Sequence, residues 1–217
     1  RWLDPERGLV SPSEFLPAMD ETGLIVPVGE WVLNEACRQA VQWQEAYPAL
    51  GPIEVTVNVS ARQLAQSDFL DVLTEALRMP EGVRPPQLCL EISEAALRDD
   101  LETAWTMLRQ AKELGVTLAL DDFGTGSSSI KSVRTFRSDV LKIDREFVKG
   151  LGMAAEDTAI VQMMIALGKE LGMVTVAEGI ETTQQLEALR RLDCKRGQGY
   201  LFGHPVPPQV IEDMLYD

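Results

Sequence analysis

The stretch VTLALDDFGTG, residues 116–126, decides the fold class of this 217-residue chain. It begins as a short apolar run and ends in two adjacent carboxylates, Asp121 and Asp122. Because the run has no polar alternation, it is typical of a strand buried on both faces of a parallel sheet. A helical pattern at 100–114 precedes it, and Gly115 stands where a helix C-cap is expected.

The same alternation extends in both directions along the chain. Further apolar runs lie at 53–59, 88–92, 139–143, 173–177 and 198–202. Helical spacing marks 28–47, 69–78, 156–171 and 182–192. Strands that alternate with helices predict βα units and a parallel sheet.

A (β/α) barrel fits this pattern better than a doubly wound nucleotide-binding fold, because no glycine-rich phosphate loop follows the first strand. Such barrels typically have eight strands and about 250 residues. This chain is shorter and begins abruptly at Arg1. We therefore expect an α/β, modified TIM barrel, with one domain over residues 1–217 that is truncated at the N-terminus.

Composition excludes several function classes. The net charge of −14 argues against binding to DNA or RNA, which needs clustered Lys and Arg. No apolar run is long enough to span a membrane. The three cysteines are scattered and include no CxxC pair, which favours reduced structural thiols. Thiols of this kind predict a cytoplasmic domain, with any membrane tether outside this chain. The single histidine, His204, argues against a His-rich zinc site or a Ser-His-Asp triad.

Each predicted strand carries a polar residue at or near its C-terminal end. In chain order these residues are Asn58, Glu91, Glu94, Asp121, Asp122, Lys142, Asp144, Glu178, Glu181 and Gln198. In a parallel barrel such ends converge on one rim, where barrel enzymes keep their sites. A single acid here could simply cap a helix, and Asp144 before the helical pattern REF is the best example. The whole set, however, would repel itself without cations.

Oxygen ligands of this kind suit Mg²⁺ or Mn²⁺. Adjacent Asp121 and Asp122 could serve two metals at once, as in two-metal phosphoester cleavage. Lys142, inside the apolar stretch VLKID, has two interpretations. It could neutralise the acids, or it could position a water or a phosphoryl oxygen as a fixed cation.

At this point the sequence resembles a known family along essentially its whole length. The matching motifs are NVSARQL (58–64), LEISEAAL (90–97), LALDDFGTGSSS (118–129), DVLKIDREFV (139–148), VAEGIET (176–182) and GQGYLFGHP (197–205). The N-terminal segment 13–33 is also similar. In this order the motifs resemble the EAL-domain cyclic di-GMP phosphodiesterases.

The resemblance implies hydrolysis of cyclic di-GMP to linear pGpG with Mg²⁺ or Mn²⁺ in a two-metal site. The metal ligands it implies are Asn58, Glu91, Asp121, Asp122 and Glu178. Catalytic roles fall to Glu178 as base, to Lys142 as holder of the attacking water, and to Asp122.

Further roles follow from the same resemblance. Arg1 and Gln198 are implied to contact substrate, and Gln198 and Glu181 to support the metal shell. Glu94 would anchor the loop after Asp122, and Asp144 is a supporting residue. The implied partners are cyclic di-GMP, a second copy of the domain, and fused or partner sensory or cyclase domains.

The chain departs from the family pattern in three places. A glutamate that the family carries shortly before the position of Arg1 lies outside this chain. Ser127 stands where tyrosine is usual, and a proline expected near Arg137 is missing. These departures leave a second hypothesis open, a cyclic di-GMP receptor with impaired catalysis. A third is an enolising barrel enzyme with Lys142 as base.

Overall fold

The computed structural model describes residues 1–79, 85–97, 101–124, 136–153 and 155–216. It begins with an antiparallel hairpin of β1 (Trp2–Asp4) and β2 (Gly8–Val10). The sequence patterns missed this hairpin, because each strand has only three residues. Asp4 shapes its turn, since its carboxylate accepts hydrogen bonds from the backbone N–H groups of Glu6 and Arg7.

The remaining strands form one parallel sheet in sequential order. They are β3 (Glu54–Asn58), β4 (Gln87–Ser93), β5 (Thr117–Phe123), β6 (Val140–Ile143), β7 (Val174–Ala177) and β8 (Arg196–Gly197). Every neighbouring pair is parallel. Because consecutive strands are neighbours, the order is that of a barrel and not of a doubly wound sheet. The α/β fold class and the modified TIM barrel are confirmed.

The sixth strand was predicted at 198–202, and this position was wrong. The strand is Arg196–Gly197, and the chain then turns, with Phe202 N–H donating to the Gly199 carbonyl. A side chain at Gly199 would collide with the backbone of Ile180, so this glycine permits a close approach that ends the strand.

The apolar side chains of several helices pack against those of the sheet in one core. The described helices are α1 (Pro12–Thr22), α2 (Ile25–Ala46), α3 (Ala61–Leu64), α4 (Phe69–Ala76), α5 (Leu101–Glu113), α6 (Arg145–Lys149), α7 (Ala155–Glu170), α8 (Thr183–Arg191) and α9 (Pro208–Tyr216). Short 3-10 turns lie at Pro48–Leu50 and Glu94–Leu97. Gly115 adopts a positive φ of 91° just after α5, as its predicted capping role requires.

The two faces of the sheet carry different side chains. On β4, Leu88, Leu90 and Ile92 belong to the main apolar core. The alternate residue Cys89 instead joins a small separate cluster with Ala119 and two valines. The face away from the main core is therefore lined by small side chains, and the charged residues extend this line toward the carboxyl ends of the strands.

Two further expectations concern thiols and membranes. Cys37 and Cys89 are buried, as expected of structural thiols, whereas Cys194 is only half-buried, and all three are free. Burial raises the pKa of the Cys37 thiol to about 11. Within the described ranges, every helix is too short or too polar to cross a membrane.

Candidate active site

Lys142 is the centre of the polar cluster. Its Nζ lies 2.6 Å from Glu91 Oε1 and 3.3 Å from Asp121 Oδ1, and it forms a closer ion pair with Glu178. The lysine is only 4% exposed. Burial alone would lower the pKa of Lys142, but attraction from Glu178, Asp121 and Glu91 outweighs it, so the pKa rises above its ordinary value. The ammonium therefore stays protonated.

The surrounding acids outnumber this one cation. Burial raises the pKa of Glu178 to about 7, against the attraction of Lys142, and repulsion from Asp121 adds to the rise. Burial, followed by repulsion from Asp121, raises the pKa of Asp122 to about 6. The pKa of Glu91 is also raised, again chiefly by burial. The site thus holds more negative charge than Lys142 neutralises.

A bulge in β5 keeps Asp121 and Asp122 beside the same cluster. The register between β5 and β6 shifts between Leu120 and Phe123, and Asp122 has a φ of +55°. In a regular strand, consecutive side chains point to opposite faces. The bulge and the left-handed residue redirect the chain, and Asp122 remains in electrostatic contact with Asp121 and with Lys142.

Neighbouring polar side chains hold the acids in position. Asn58, paired with Glu91 in the register of β3 and β4, hydrogen-bonds to the Glu91 carboxylate. Gln198 Nε2 donates to Glu178 Oε1 at 2.7 Å. These contacts fix two of the carboxylates on either side of Lys142.

Asp144 combines the two roles that the sequence left open. Its side chain accepts a hydrogen bond from the Glu146 N–H at 2.7 Å and caps α6, so the helix-cap interpretation is confirmed. It also hydrogen-bonds to Asp122, which raises the pKa of that group further. Asp144 is therefore a structural cap that also contacts the site.

The remaining predicted site residues lie farther out. Glu94 is buried in the 3-10 turn that follows β4. The loop that it was expected to anchor, including Ser127, lies outside the described residues. Glu181 lines a cavity together with Glu178. Arg1 is exposed, and no carboxylate in the described ranges forms an ion pair with it.

The donor set fits a hard divalent cation, although the described side chains do not converge on one point as ligands. No group of three acidic, histidine or cysteine residues among those described is arranged to hold a metal, because Lys142 draws three of the acids to itself. Asp121 Oδ1 is buried and forms no hydrogen bond in the described chain, so its one described partner is the Lys142 ammonium at 3.3 Å. A carboxylate oxygen of this kind has the chemistry to accept a hard divalent cation.

Two cavities adjoin the cluster. The larger, about 720 Å³, extends from Glu91 and Lys142 along the small side chains of the strands. The smaller, about 440 Å³, shares Glu178 and Gln198 with the cluster. It is also lined by residues that the sequence did not identify as functional, namely Arg145, Tyr200, His204 and Pro205. The available signal for them was their place in two of the matching motifs, DVLKIDREFV (139–148) and GQGYLFGHP (197–205).

Comparison with known proteins agrees with this geometry. The family model described as "EAL domain" matches residues 1–205. The bifunctional diguanylate cyclase/cyclic di-GMP phosphodiesterase MucR of Pseudomonas aeruginosa is 41% identical over 97% of this chain and 30% of its own length. The cyclic di-GMP phosphodiesterase PA2567 of the same organism is 36% identical over 99% of this chain and 36% of its own.

Solved structures give the same result. A structure described as the PaMucR phosphodiesterase in complex with c-di-GMP has a TM-score of 0.88 at 41% identity, and covers 97% of this chain and 84% of its own. The EAL enzyme Bd1971, in a form bound to cAMP and cyclic di-GMP, has a TM-score of 0.92 at 30% identity. The match covers 99% of this chain and 58% of the Bd1971 chain. The chain spans about a third of the full length of MucR and of PA2567. The match across the barrel and its rim shows that this chain belongs to the EAL domain family.

Proposed function

We propose that this domain is a phosphodiesterase that hydrolyses cyclic di-GMP to linear pGpG and requires Mg²⁺ or Mn²⁺. The observation that carries the proposal is the convergence of Glu91, Asp121 and Glu178 on the buried Lys142 at the carboxyl ends of four parallel strands. The names of MucR and PA2567 support the substrate assignment.

The metal ligands we propose are Asn58, Glu91, Asp121, Asp122 and Glu178. Their oxygens match the preference of Mg²⁺ and Mn²⁺, and three of these carboxylates, those of Glu91, Asp121 and Glu178, share the single ammonium of Lys142. Bound cations would supply Lewis-acid activation and neutralise charge on the substrate phosphate.

The chain's own side chains perform the positioning. Lys142 remains protonated between its carboxylate partners, and it donates hydrogen bonds that orient a water or stabilise a phosphoryl oxygen. Glu178 accepts the proton of that water, and Gln198 fixes the carboxylate orientation. The water adds to phosphorus and the P–O3′ bond breaks. The departing O3′ takes up a proton from solvent to become the 3′-hydroxyl, and pGpG keeps the phosphate on its 5′ end.

Two other functions fit the site less well. An enolising enzyme would need Lys142 to be neutral in order to act as a base, yet its carboxylate partners raise its pKa. A receptor without catalysis would not need the acids around Lys142. One observation favours the receptor: the EAL domain of FimX from Pseudomonas aeruginosa, which is 26% identical to this chain, is described as bound to c-di-GMP.

We also propose a cytoplasmic, homodimeric domain that works beside sensory or cyclase modules. The name of MucR, which joins a diguanylate cyclase to a phosphodiesterase, supports the last point.

The test is incubation with cyclic di-GMP and Mg²⁺ or Mn²⁺, followed by chromatography for pGpG. We expect product that disappears with EDTA and with Asp121→Asn. The matched control is Asp193→Asn, which removes an exposed carboxylate paired with Lys195 and should leave turnover unchanged. Tight binding of cyclic di-GMP without any product would favour the receptor. Turnover that survives both EDTA and Asp121→Asn would overturn the proposal.

A further inference from the structure

A buried glutamine, Gln63, lies behind the strand end that carries Asn58. Its side chain belongs to a residue that is only 4% exposed, although glutamine is mostly a surface residue. Gln63 is part of the motif NVSARQL, from which the proposed site uses only Asn58. A polar side chain buried this close to a reaction centre requires an explanation.

Gln63 closes the turn that follows Asn58. Its Oε1 accepts hydrogen bonds from the Ser60 N–H at 3.1 Å and from the Ser60 hydroxyl at 3.0 Å. The Gln63 N–H donates to Ser60 Oγ at 3.2 Å, which completes a capping box at the start of α3. Val59 N–H donates to the Glu91 carbonyl at 2.9 Å. These bonds fix the chain directly after Asn58, whose side chain hydrogen-bonds to the Glu91 carboxylate.

Gly29 of α2 leaves the space that the Gln63 amide occupies. A Cβ at Gly29 would lie 2.1 Å from Gln63 Nε2 and 2.4 Å from the amide carbon. Gly29 is buried inside the helix and has no positive φ, so its backbone conformation does not require glycine. Glycine also makes a helix less stable than alanine does. The close approach of Gln63 therefore accounts for a glycine at this position.

We propose that Gln63 is a positioning residue, which holds the turn after β3 so that Asn58 stays beside Glu91 and faces the proposed metal. The inference rests on the proposed metal-dependent phosphodiesterase activity. It assigns a role in that reaction to a residue that contacts neither the substrate nor the metal. Because the Gln63 amide is held between this turn and α2, the packing of Gly29 is coupled to the site.

The experiment measures Mn²⁺ affinity by titration, pGpG formation at saturating Mn²⁺, and urea unfolding in EDTA. We expect Gln63→Ala to weaken Mn²⁺ binding and to lower kcat by about 10-fold each, with KM within about twofold, since a misplaced ligand affects the metal more than the substrate contacts. Gln63→Glu keeps a side-chain acceptor that capping boxes also use, and it should recover most of both losses. The matched control is Gln66→Ala, which removes a nearby amide that donates to the Arg62 carbonyl and should leave both quantities unchanged.

A second variant keeps Gln63 and displaces its amide. Gly29→Ala places a methyl group where the amide lies, and the amide can swing away because it is the end of a flexible side chain. We expect losses of Mn²⁺ affinity and kcat like those of Gln63→Ala, with a urea midpoint close to that of the wild type, since alanine favours the helix. Adding Gly29→Ala to Gln63→Ala should cause no further loss of Mn²⁺ affinity, because the two changes break the same contact.

Unchanged Mn²⁺ affinity in Gln63→Ala, or equal losses in Gln63→Ala and Gln66→Ala, would overturn the positioning role. A lower urea midpoint in Gln63→Ala with normal Mn²⁺ affinity would do the same, because it would show a role in stability alone. If the wild-type protein binds Mn²⁺ but forms no pGpG, the proposed function fails, while the Mn²⁺ titrations still decide the role of Gln63. Wild-type pGpG formation that Gln63→Ala and Gly29→Ala leave unchanged refutes only the present inference.

Discussion

Lys142 on β6 and Glu91 on β4 are joined by a 2.6 Å ion pair, although β5 lies between their strands. The same ammonium also contacts Asp121 on β5 and Glu178 after β7. One buried cation therefore links four successive segments of the sheet at the rim. This arrangement makes the electrostatics of the site and the stability of the sheet interdependent.

Removal of the central cation should destabilise the fold as well as the site. In Lys142→Met, three buried or half-buried carboxylates lose their common partner, and breaking a buried pair in this way typically costs about 3–5 kcal/mol. Urea unfolding in EDTA measures the loss, and added Mn²⁺ should recover part of it. Lys112→Met is the matched control, because the partly exposed pair of Lys112 with Asp139 should be worth about 1 kcal/mol or less. Similar losses in the two variants would show that Lys142 does not organise the cluster.

The stability of the metal-free domain should increase as the pH falls. The folded protein raises the pKa of Glu178 to about 7 and that of Asp122 to about 6, so it binds protons more tightly than the unfolded chain does. This stabilisation is present below the ordinary carboxyl pKa and is lost as the pH rises through 6 to 7. We expect a higher urea midpoint at pH 5.5 than at pH 8 in EDTA, and a smaller difference in Glu178→Gln. Midpoints that increase from pH 5.5 to pH 8 would contradict the raised pKa values of Glu178 and Asp122.

Gln198 should affect turnover without contacting the reacting atoms. Its amide holds Glu178 Oε1 at 2.7 Å, so Gln198→Ala frees the carboxylate to rotate. Losing such a supporting contact typically costs about 10- to 100-fold in metal affinity or activity. Mn²⁺ titration and pGpG formation measure the two effects separately. Gln184→Ala, which removes an amide that donates to the Gly152 carbonyl on the surface, is the control and should leave both unchanged.

The sequence was sufficient to predict the parallel strands β3 to β7 and the polar residues that meet at their carboxyl ends. Short apolar runs that end in Asn58, Glu91 or Lys142 identify buried strands and one shared rim, because parallel strands bring their carboxyl ends together. The sixth strand was misplaced because the approach of Gly199 to Ile180 is a tertiary contact. The cavity beside the cluster was missed for a similar reason.

The bulge in β5 could not be predicted either, because an apolar run followed by two acids has the same pattern whether or not the register shifts. Within the bulge, Asp122 has a left-handed φ of +55°, and substitutions at this residue test whether that conformation is strained. Asparagine tolerates this left-handed conformation, whereas a β-branched residue does not. We expect Asp122→Asn to abolish pGpG formation with little change in unfolding free energy, and Asp122→Val to lose activity and also about 1–2 kcal/mol of stability. Asp122→Gly, which relieves the backbone, should be inactive but more stable than Asp122→Val. Equal stability of the valine and glycine variants would mean that the left-handed conformation at Asp122 is not strained.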